Sequence, residues 1–251
     1  MVRLAQKLLS PHNWRGFLGA IRTAVDPFAV IRRYYLRKGS YPYTVRLRTP
    51  IGPLALELRS AADFITIHEV FFREDYRLSK AEAERLRVAV DFGANIGVTA
   101  AYFLTRNPQV QVYSYEPVPS NIALAQKNLA PFAARLQFIE CAVGTEAGTV
   151  EFGIESSGRY GGIGVQHMDR IRVPCRRGDE ELTRMLQQHR RIDALKLDIE
   201  GMEIPIIRSL PPETLGGIGC ILAECDGEEI RLPNFAYEQY LSVARFTAIP
   251  G

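Results

Sequence analysis

The chain has 251 residues, of which 47% are hydrophobic and 24% are charged, a composition typical of a globular protein that excludes a disordered chain. Residues 1–60 carry eleven Lys or Arg side chains against two acidic ones, so the net charge of +3 combines a basic N-terminal segment with an acidic remainder. This asymmetry favours a docking surface near the N-terminus for an anionic partner or a membrane face.

The cysteines and the lengths of the apolar runs indicate in which cellular compartment the protein is expected. The four cysteines form no CxxC pair, which argues against a disulfide framework or a zinc finger. No apolar run reaches the roughly 18–20 residues of a membrane span, and the N-terminus lacks the apolar core of a secretory signal. We therefore expect a cytoplasmic protein with reduced thiols, and the basic N-terminal segment leaves a membrane-peripheral location open.

The first sixty residues are predicted to form helices followed by a hairpin. Apolar residues at three- and four-residue spacing predict short amphipathic helices over residues 1–40, interrupted by Pro11 and Pro27. Residues 43–59 alternate apolar and polar side chains about a Pro-Ile-Gly-Pro turn, which predicts a β-hairpin. We divide the chain into a basic segment of residues 1–60 and a domain of residues 61–251, which begins with a mainly helical stretch over 62–76.

From residue 87 onward, strand-like apolar runs alternate with helical stretches. The predicted strands are 87–92, 110–116, 135–140, 193–199 and 219–225, and the predicted helices are 97–106, 119–130, 178–189 and 202–209. A smaller β-rich insertion is predicted at 148–153 and 170–175. Near-continuous apolar strands separated by helices predict a doubly wound α/β fold, with ligand chemistry beyond the carboxyl ends of the strands.

The first of these strands ends in a glycine-rich turn, DFGANIG, which contains Asp91, Gly93 and Gly97. An acidic turn suits a ligand with a cationic or zwitterionic part better than a phosphate, and a tight turn without any ligand is the alternative. Glu116 ends the second strand, 19 residues after Gly97, where an acid can accept two hydrogen bonds from a ribose diol.

The fourth and fifth strands carry further ionisable residues. Lys196 and Asp198 are two positions apart and therefore share a face of their strand. Because burying either charge alone costs several kcal/mol, a structural salt bridge is one interpretation. The functional interpretation places Asp198, Glu200 and Glu224 at the carboxyl edge of the sheet, over a ligand cleft.

Together these motifs resemble the FkbM family of S-adenosylmethionine-dependent methyltransferases, over about residues 63–250. The matching segments are DFGANIG, YEP, AVG, TVEF, LKLDIEGME and ILAE, with EVFFREDY as the lead-in. The resemblance implies a class I methyltransferase (Rossmann-like) fold, S-adenosyl-L-methionine as the cofactor, and methyl transfer, usually to a hydroxyl. It implies as acceptor a hydroxylated small molecule, a glycan or a lipid-linked compound.

The resemblance also implies site residues. The predicted cofactor site consists of Asp91, Phe92, Gly93, Ala94, Asn95, Gly97, Glu116, Pro117, Cys141, Ala142 and Asp198. The glycine-rich turn would line the methionine side, Glu116 would hold the ribose, and Cys141 and Ala142 would flank the adenine. Two departures affect the acceptor side: Cys225 and Asp226 follow Glu224 where family members often have a His, and the glycine-rich segment 156–168 matches poorly.

Methyl transfer to an alcohol requires alignment, exclusion of water and removal of one proton. We predict Asp198 and then Glu200 as catalytic residues, with His167 and Glu224 as further candidate bases. Asp198 and Glu224 could also supply two oxygen ligands to Mg²⁺, but no tight ligand motif is present, so we predict no metal.

Two other functions stay open on the sequence: a nicotinamide-dependent oxidoreductase, disfavoured because the turn lacks GxGxxG, and a non-catalytic adaptor. Nucleic acid is not an expected partner, since the Asn/Asp-Pro-Pro-Tyr/Phe motif is absent, and homo-oligomerisation is left open. We expect residues 1–40 to form a helical lid whose apolar face packs on the core. A membrane-interface segment is the alternative.

Overall fold

The computed structural model describes residues 11–155, 161–164, 169–225 and 230–249. The helices are α1 Pro11–Thr23, α2 Pro27–Tyr34, α3 Ala61–Ile67, α4 Lys80–Arg85, α5 Val98–Leu104, α6 Pro119–Leu129, α7 Gly178–His189, α8 Glu203–Ser209 and α9 Pro212–Gly216. A π-helical turn, His68–Arg73, continues α3, and a 3₁₀ turn, Ala130–Arg135, follows α6. The strands are β1 Tyr43–Thr49, β2 Gly52–Leu58, β3 Val88–Phe92, β4 Gln111–Tyr115, β5 Leu136–Ile139, β6 Ala142–Gly144, β7 Gly148–Ile154, β8 Gly161–Ile163, β9 Asp169–Arg177, β10 Ala194–Leu197, β11 Cys220–Glu224, β12 Phe235–Tyr240 and β13 Val243–Ala248.

A seven-stranded sheet in the order β12-β13-β11-β10-β3-β4-β5 forms the centre of the molecule. Strands β5, β4, β3, β10 and β11 are parallel, and β13 runs antiparallel between β11 and β12. The strand order reverses between β3 and β10, which opens a crevice at the carboxyl ends of these two strands. This arrangement confirms the predicted class I methyltransferase fold.

The predicted strands and helices of the core are confirmed to within a few residues. Strands β3 and β10 are buried along their whole length, as expected for parallel strands that have helices on both faces. The predicted β insertion is also confirmed as β7 and β9. In the structure these strands are joined by β6 and β8 in a separate four-stranded sheet with the order β6-β9-β7-β8.

The last two strands, β12 and β13, were not predicted from the sequence. They pair antiparallel across a two-residue turn at Leu241 and Ser242. Leu241 adopts a positive φ of 54°, a conformation that glycine or asparagine usually supplies. The turn contains neither glycine nor asparagine, so the usual sequence signal of a hairpin is absent. The alternation of apolar and polar residues in the two strands was the remaining local signal.

Helix α1 packs against the π-helical turn through its small residues. A Cβ atom added to Gly19 would lie 1.9 Å from the carbonyl oxygen of Phe72, and one added to Gly16 would lie 2.3 Å from Nε2 of His68. Ala20 is fully buried in the same interface. None of the described residues of α1 and α2 lines the central cavity, and these helices pack behind the π turn. Residues 1–10 lie outside the described residues, so the lid over residues 1–40 stays a prediction.

The predicted hairpin β1–β2 is confirmed, with Thr49 paired to Gly52 across the turn. Its inward side chains, such as Leu47 and Leu56, are fully buried and belong to the same apolar cluster as Ala100 and Val112 of the central domain. The boundary at residue 60 therefore crosses a shared core, and the division into two domains stays a prediction. None of the described helices is long and apolar enough to cross a bilayer.

Because Gly19 lies against Phe72, we predict that a substitution that normally stabilises a helix will destabilise this protein. Gly→Ala inside a helix ordinarily stabilises a protein by about 0.5–1 kcal/mol. Gly19→Ala should instead lower the free energy of unfolding by about 1–3 kcal/mol, because the new methyl group overlaps the Phe72 carbonyl. Urea denaturation measures the change, and Leu18→Ala, an exposed position on the same helix, is the matched control; a stabilised Gly19→Ala variant would contradict this packing.

Candidate active site

A cavity lies over the carboxyl ends of β3, β4, β10 and β11 and encloses about 930 Å³, including the part that is open to solvent. Its lining combines the β3–α5 turn, the ends of the next strands, the π-helical turn and the β insertion. The lining residues used below are Glu69, Val70, Tyr76, Gly93, Ala94, Asn95, Glu116, Pro117, Cys141, Ala142, Phe152, Ile163, Lys196, Asp198, Glu200 and Glu224.

The turn after β3 needs glycine because another backbone passes close to it. Gly93 has a φ of 81°, and a Cβ atom at this position would lie 1.9 Å from the carbonyl oxygen of Asp198. Asn95 also adopts a positive φ, of 50°, and its side-chain oxygen accepts a hydrogen bond from the backbone N–H of Ile96 at 2.7 Å. The turn and the loop that carries Asp198 are thus packed directly on each other.

Lys196 is the centre of the polar contacts beneath the cavity. Its side chain is 2% exposed, and its Nζ lies 3.1 Å from Oδ1 of Asp91 and 3.4 Å from Oδ2 of Asp198. The same ammonium donates to the carbonyl oxygen of Gly93 at 2.6 Å. Burial alone would lower the pKa of Lys196, but the attraction of Asp198 and Asp91 outweighs it and raises the pKa, so the lysine stays charged.

Three residues of the predicted cofactor site do not line the cavity. Asp91 is fully buried behind it; its carboxylate has the ion pair with Lys196, but neither oxygen meets hydrogen-bond geometry with any described residue. Phe92 points to the opposite face of the sheet and contacts the ring of Tyr115. Gly97 precedes α5 and faces the side chain of Leu129. Asp91 therefore acts through Lys196, and the other two shape the turn.

Glu116 lies at the cavity wall with both carboxylate oxygens engaged. One oxygen accepts the backbone N–H of Asn95 at 2.8 Å, and the other accepts the N–H of Val118 at 3.0 Å and the side-chain amide of Asn121 at 3.2 Å. Burial raises the pKa of Glu116, and this effect exceeds the opposite effect of the donated hydrogen bonds. A carboxylate offers about four lone-pair sites, and these donors occupy three, so about one site on the oxygen that faces Asn95 is left for a ribose hydroxyl.

Asp198 follows β10 and Glu224 ends the neighbouring parallel strand β11, and both carboxyl groups line the cavity. Burial would raise the pKa of Asp198, but Lys196 and the donated hydrogen bonds hold it below its usual value. Burial and the negative charge of Asp198 raise the pKa of Glu224 from 4.5 to about 8. At neutral pH the pair therefore shares one proton, which is held on Glu224.

Two neighbours fix this pair, and neither was singled out from the sequence. The hydroxyl of Tyr76 donates to Oδ2 of Asp198 at 3.3 Å, and the hydroxyl of Ser242 donates to Oε1 of Glu224 at 2.9 Å. Tyr76 lies in the lead-in segment EVFFREDY, so the segment itself was the available signal. Ser242 could not be found this way because it lies in the unpredicted turn between β12 and β13.

Glu200, the second predicted catalytic residue, is exposed at the cavity and has a φ of 56°. Its loop is held from below by Glu203, whose carboxylate accepts the N–H groups of Ile199 at 2.7 Å and Gly201 at 2.8 Å. His167, a further candidate base, and Asp226 lie outside the described residues. Glu203 supports the loop that carries Glu200. It belongs to the motif LDIEGME, but the sequence did not indicate this role.

The β insertion builds the apolar end of the cavity. Cys141 and Ala142, predicted to flank an adenine, are buried here beside Phe152 and Ile163 of the insertion. Burial raises the pKa of the Cys141 thiol to about 12, so this cysteine is a neutral apolar wall. The opposite end is polar, and the two ends together suit a ligand with an aromatic group at one side and charged groups at the other.

The charge of the cavity is strongly negative. Among the described lining residues, Lys196 is the single basic side chain, against five carboxyl groups: Glu69, Glu116, Asp198, Glu200 and Glu224. No cluster of three or more metal-ligating side chains occurs within the described ranges. Such a field favours an organic cation over an anionic ligand such as a dinucleotide.

The fold and this acidic cavity define a class I methyltransferase. Solved structures with a similar course of the chain include a methyltransferase from Geobacter sulfurreducens, with 13% identity over 71% of this chain and 77% of that chain, at a TM-score of 0.43. A second is an rRNA methylase from Streptococcus thermophilus, with 11% identity over 68% of this chain and 94% of that chain, at a TM-score of 0.35. No curated protein sequence matches this chain.

A family model described as the methyltransferase FkbM domain matches residues 91–222, which is more than half of the chain. The chain belongs to this family. The match begins at the buried Asp91 and ends within β11, so it spans the turn, the β insertion and the loop of Asp198. The resemblance read from the motifs is confirmed, and use of S-adenosylmethionine is implied by the family.

The raised pKa of Glu224 predicts a pH dependence of stability. The folded chain keeps a proton on Glu224 that the unfolded chain releases above its ordinary pKa of 4.5, so this residue's contribution to the free energy of unfolding falls as pH rises from 4.5 to about 8. Glu224→Gln should remove that contribution, so the variant gains stability relative to wild type across this window. Urea unfolding at several pH values measures the difference; Glu213→Gln, on exposed α9, should run parallel to wild type.

Proposed function

We propose that the protein transfers a methyl group from S-adenosyl-L-methionine to a hydroxyl oxygen of its acceptor. The observation that carries the proposal is the placement of two carboxyl groups, Asp198 and Glu224, at the ends of neighbouring strands inside one acidic cavity. An alcohol needs a base of pKa near the working pH, and a carboxyl group with a pKa of about 8 meets that need.

The residues present fit the cofactor by chemistry. The ionised carboxylates of the lining favour its positive charges, and the Glu116 oxygen that faces Asn95 suits a hydroxyl of its ribose. The apolar wall at Cys141, Phe152 and Ile163 suits its adenine. When bound, S-adenosylmethionine supplies a methyl group attached to a cationic sulfur, which is the electrophile.

The chain then has two tasks, orientation and proton removal. Lys196 fixes Asp198 as an anion, and Asp198 keeps the proton affinity of Glu224 high. Deprotonated Glu224 accepts the hydroxyl proton of the acceptor at its carboxylate as the oxygen attacks. A cationic ligand in the cavity lowers the pKa of Glu224, so cofactor binding favours the basic form of this residue.

Of the alternatives, neither the oxidoreductase nor the adaptor is favoured by an observation at the site. The negative lining opposes a pyrophosphate, and the β3–α5 turn lacks GxGxxG. The acceptor is proposed as a hydroxylated small molecule, a glycan or a lipid-linked compound. A screen with S-adenosylmethionine labelled in its methyl group, run over sugars, lipids and natural products with and without free hydroxyls, tests this; exclusive labelling of amines would reject the hydroxyl acceptor.

Glu116→Ala should weaken S-adenosylmethionine binding by roughly 1.5–3 kcal/mol, because it removes a carboxylate that makes charge-assisted hydrogen bonds. Isothermal titration calorimetry measures the affinity. Glu140→Ala, an exposed residue outside the lining, is the matched control and should bind as wild type does. If both variants keep full affinity, the ribose is not at Glu116.

Glu224→Gln should lower kcat by about 10²–10⁴-fold and abolish the rise of kcat with pH, since the amide cannot accept the proton. In wild type that rise should have an apparent pKa at or below about 8, because the bound cation shifts it downward. Asp198→Asn should also reduce turnover while keeping the fold, because shape is kept and charge is lost. A Glu224→Gln enzyme with the wild-type pH profile would show that another group takes the proton.

A further inference from the structure

Helix α1 buries its small residues and exposes its large ones. Gly16, Gly19 and Ala20 face the protein, whereas Trp14, Leu18 and Ile21 have 43–48% of their surface exposed. The exposed residues are spaced by four and three positions, so they share one face of the helix. In an ordinary surface helix the large apolar side chains face the core, and here that distribution is reversed.

Two further large apolar residues are exposed beyond the end of α1. Val25 is 44% exposed, and Phe28, in the first turn of α2, is 84% exposed. We call the five residues Trp14, Leu18, Ile21, Val25 and Phe28 the apolar stripe. Large apolar side chains that recur in this way on the surface indicate a contact with another apolar phase or molecule.

Basic residues accompany the apolar stripe. Arg22, Arg32, Arg37 and Lys38 are exposed, and within the described ranges none of them pairs with a carboxylate. Residues 11–60 contain nine Lys or Arg side chains and two acidic ones. The segment therefore combines a positive field with an apolar surface.

A second cavity lies in the same segment and is basic. It encloses about 840 Å³, including open space, and its lining contains Arg33, Arg37 and Lys38 together with Tyr34 and Tyr41. The Nε atom of Arg33 is buried and makes no hydrogen bond to any described residue. The guanidinium of Arg33 lies over the ring of Tyr43, 3.6 Å from its centroid, so the exposed Arg37 and Lys38 are the cations that can reach a phosphate oxygen.

From these contacts we propose that residues 14–38 form a docking surface for an anionic lipid bilayer. The apolar stripe enters the interface between headgroups and acyl chains, and the basic residues contact lipid phosphates. A second copy of the chain would bring two strongly positive segments together, and a nucleic acid would leave the apolar stripe in water. A bilayer satisfies both features at once.

The docking surface is connected to the catalytic cavity by one element. Helix α1 packs on the π-helical turn His68–Arg73, of which Glu69 and Val70 line the cavity. A chain bound through α1 would thus hold its cavity close to the bilayer. The proposed docking surface does not depend on the proposed methyl transfer. Only the further consequence, that the acceptor is lipid-linked, rests on it.

Trp14 is the single tryptophan of the chain and belongs to the apolar stripe, so it reports docking directly. The full-length protein is mixed with vesicles of phosphatidylcholine and phosphatidylglycerol at 3:1 or of phosphatidylcholine alone. We expect a blue shift of Trp14 emission, quenching by brominated acyl chains, and co-sedimentation with the anionic vesicles that weakens with salt. Absence of co-sedimentation with anionic vesicles would overturn the proposal, whether or not methyl transfer is found.

Two triple variants and one control separate the contributions. Leu18→Ser/Ile21→Ser/Phe28→Ser and Arg22→Glu/Arg32→Glu/Lys38→Glu should each weaken vesicle binding by at least about tenfold. Leu241→Ser/Ile249→Ser removes two exposed apolar side chains elsewhere and should bind as wild type does. Circular dichroism confirms that each variant is folded. Unchanged binding in both triple variants, or a Trp14 shift that follows dimerisation without any lipid, would overturn the proposal.

Discussion

The buried charge of Lys196 is the constraint on which the catalytic cavity depends. A lysine ammonium with 2% of its side chain exposed is tolerated only where opposite charges and carbonyl oxygens replace water. Asp91 and Asp198 supply the charges, and the carbonyl oxygen of Gly93 supplies the strongest hydrogen bond. The β3–α5 turn and the end of β10 must therefore keep their relative position for the lysine to stay paired.

This constraint also sets the protonation of the cavity. Because Lys196 keeps Asp198 ionised, the adjacent Glu224 cannot ionise without placing two like charges in contact. Asp91 contributes from behind, where its fully buried carboxylate balances the same ammonium without touching the cavity. The buried charge of Lys196 thus keeps Asp198 ionised, and the ionised Asp198 in turn raises the pKa of Glu224.

The sequence predicted the central layers well because their signals are local. Apolar runs gave the parallel strands, and the glycine-rich turn and Glu116 marked the cavity. Asp91, predicted to bind the cofactor, lies behind the cavity lining, because a motif records which residues occur together and does not record which of them line a cavity. Tyr76 and Ser242 come from elements distant in sequence, and only the tertiary structure brings them onto Asp198 and Glu224.

The π-helical turn explains why the N-terminal helices matter although they do not touch the cavity. A π turn makes its hydrogen bonds over five residues and is strained relative to an α-helix, so it persists only where neighbours support it. Helices α1 and α2 support it on one side: Gly19 of α1 allows the backbone of Phe72 to approach, and Tyr34 of α2 stacks on His68 with ring centroids 4.0 Å apart. On the other side Glu69 adds negative charge to the cavity and raises the pKa of Glu224 further. The close approach to this turn requires the small residues of α1, which leaves the outer face of the helix for Trp14, Leu18 and Ile21.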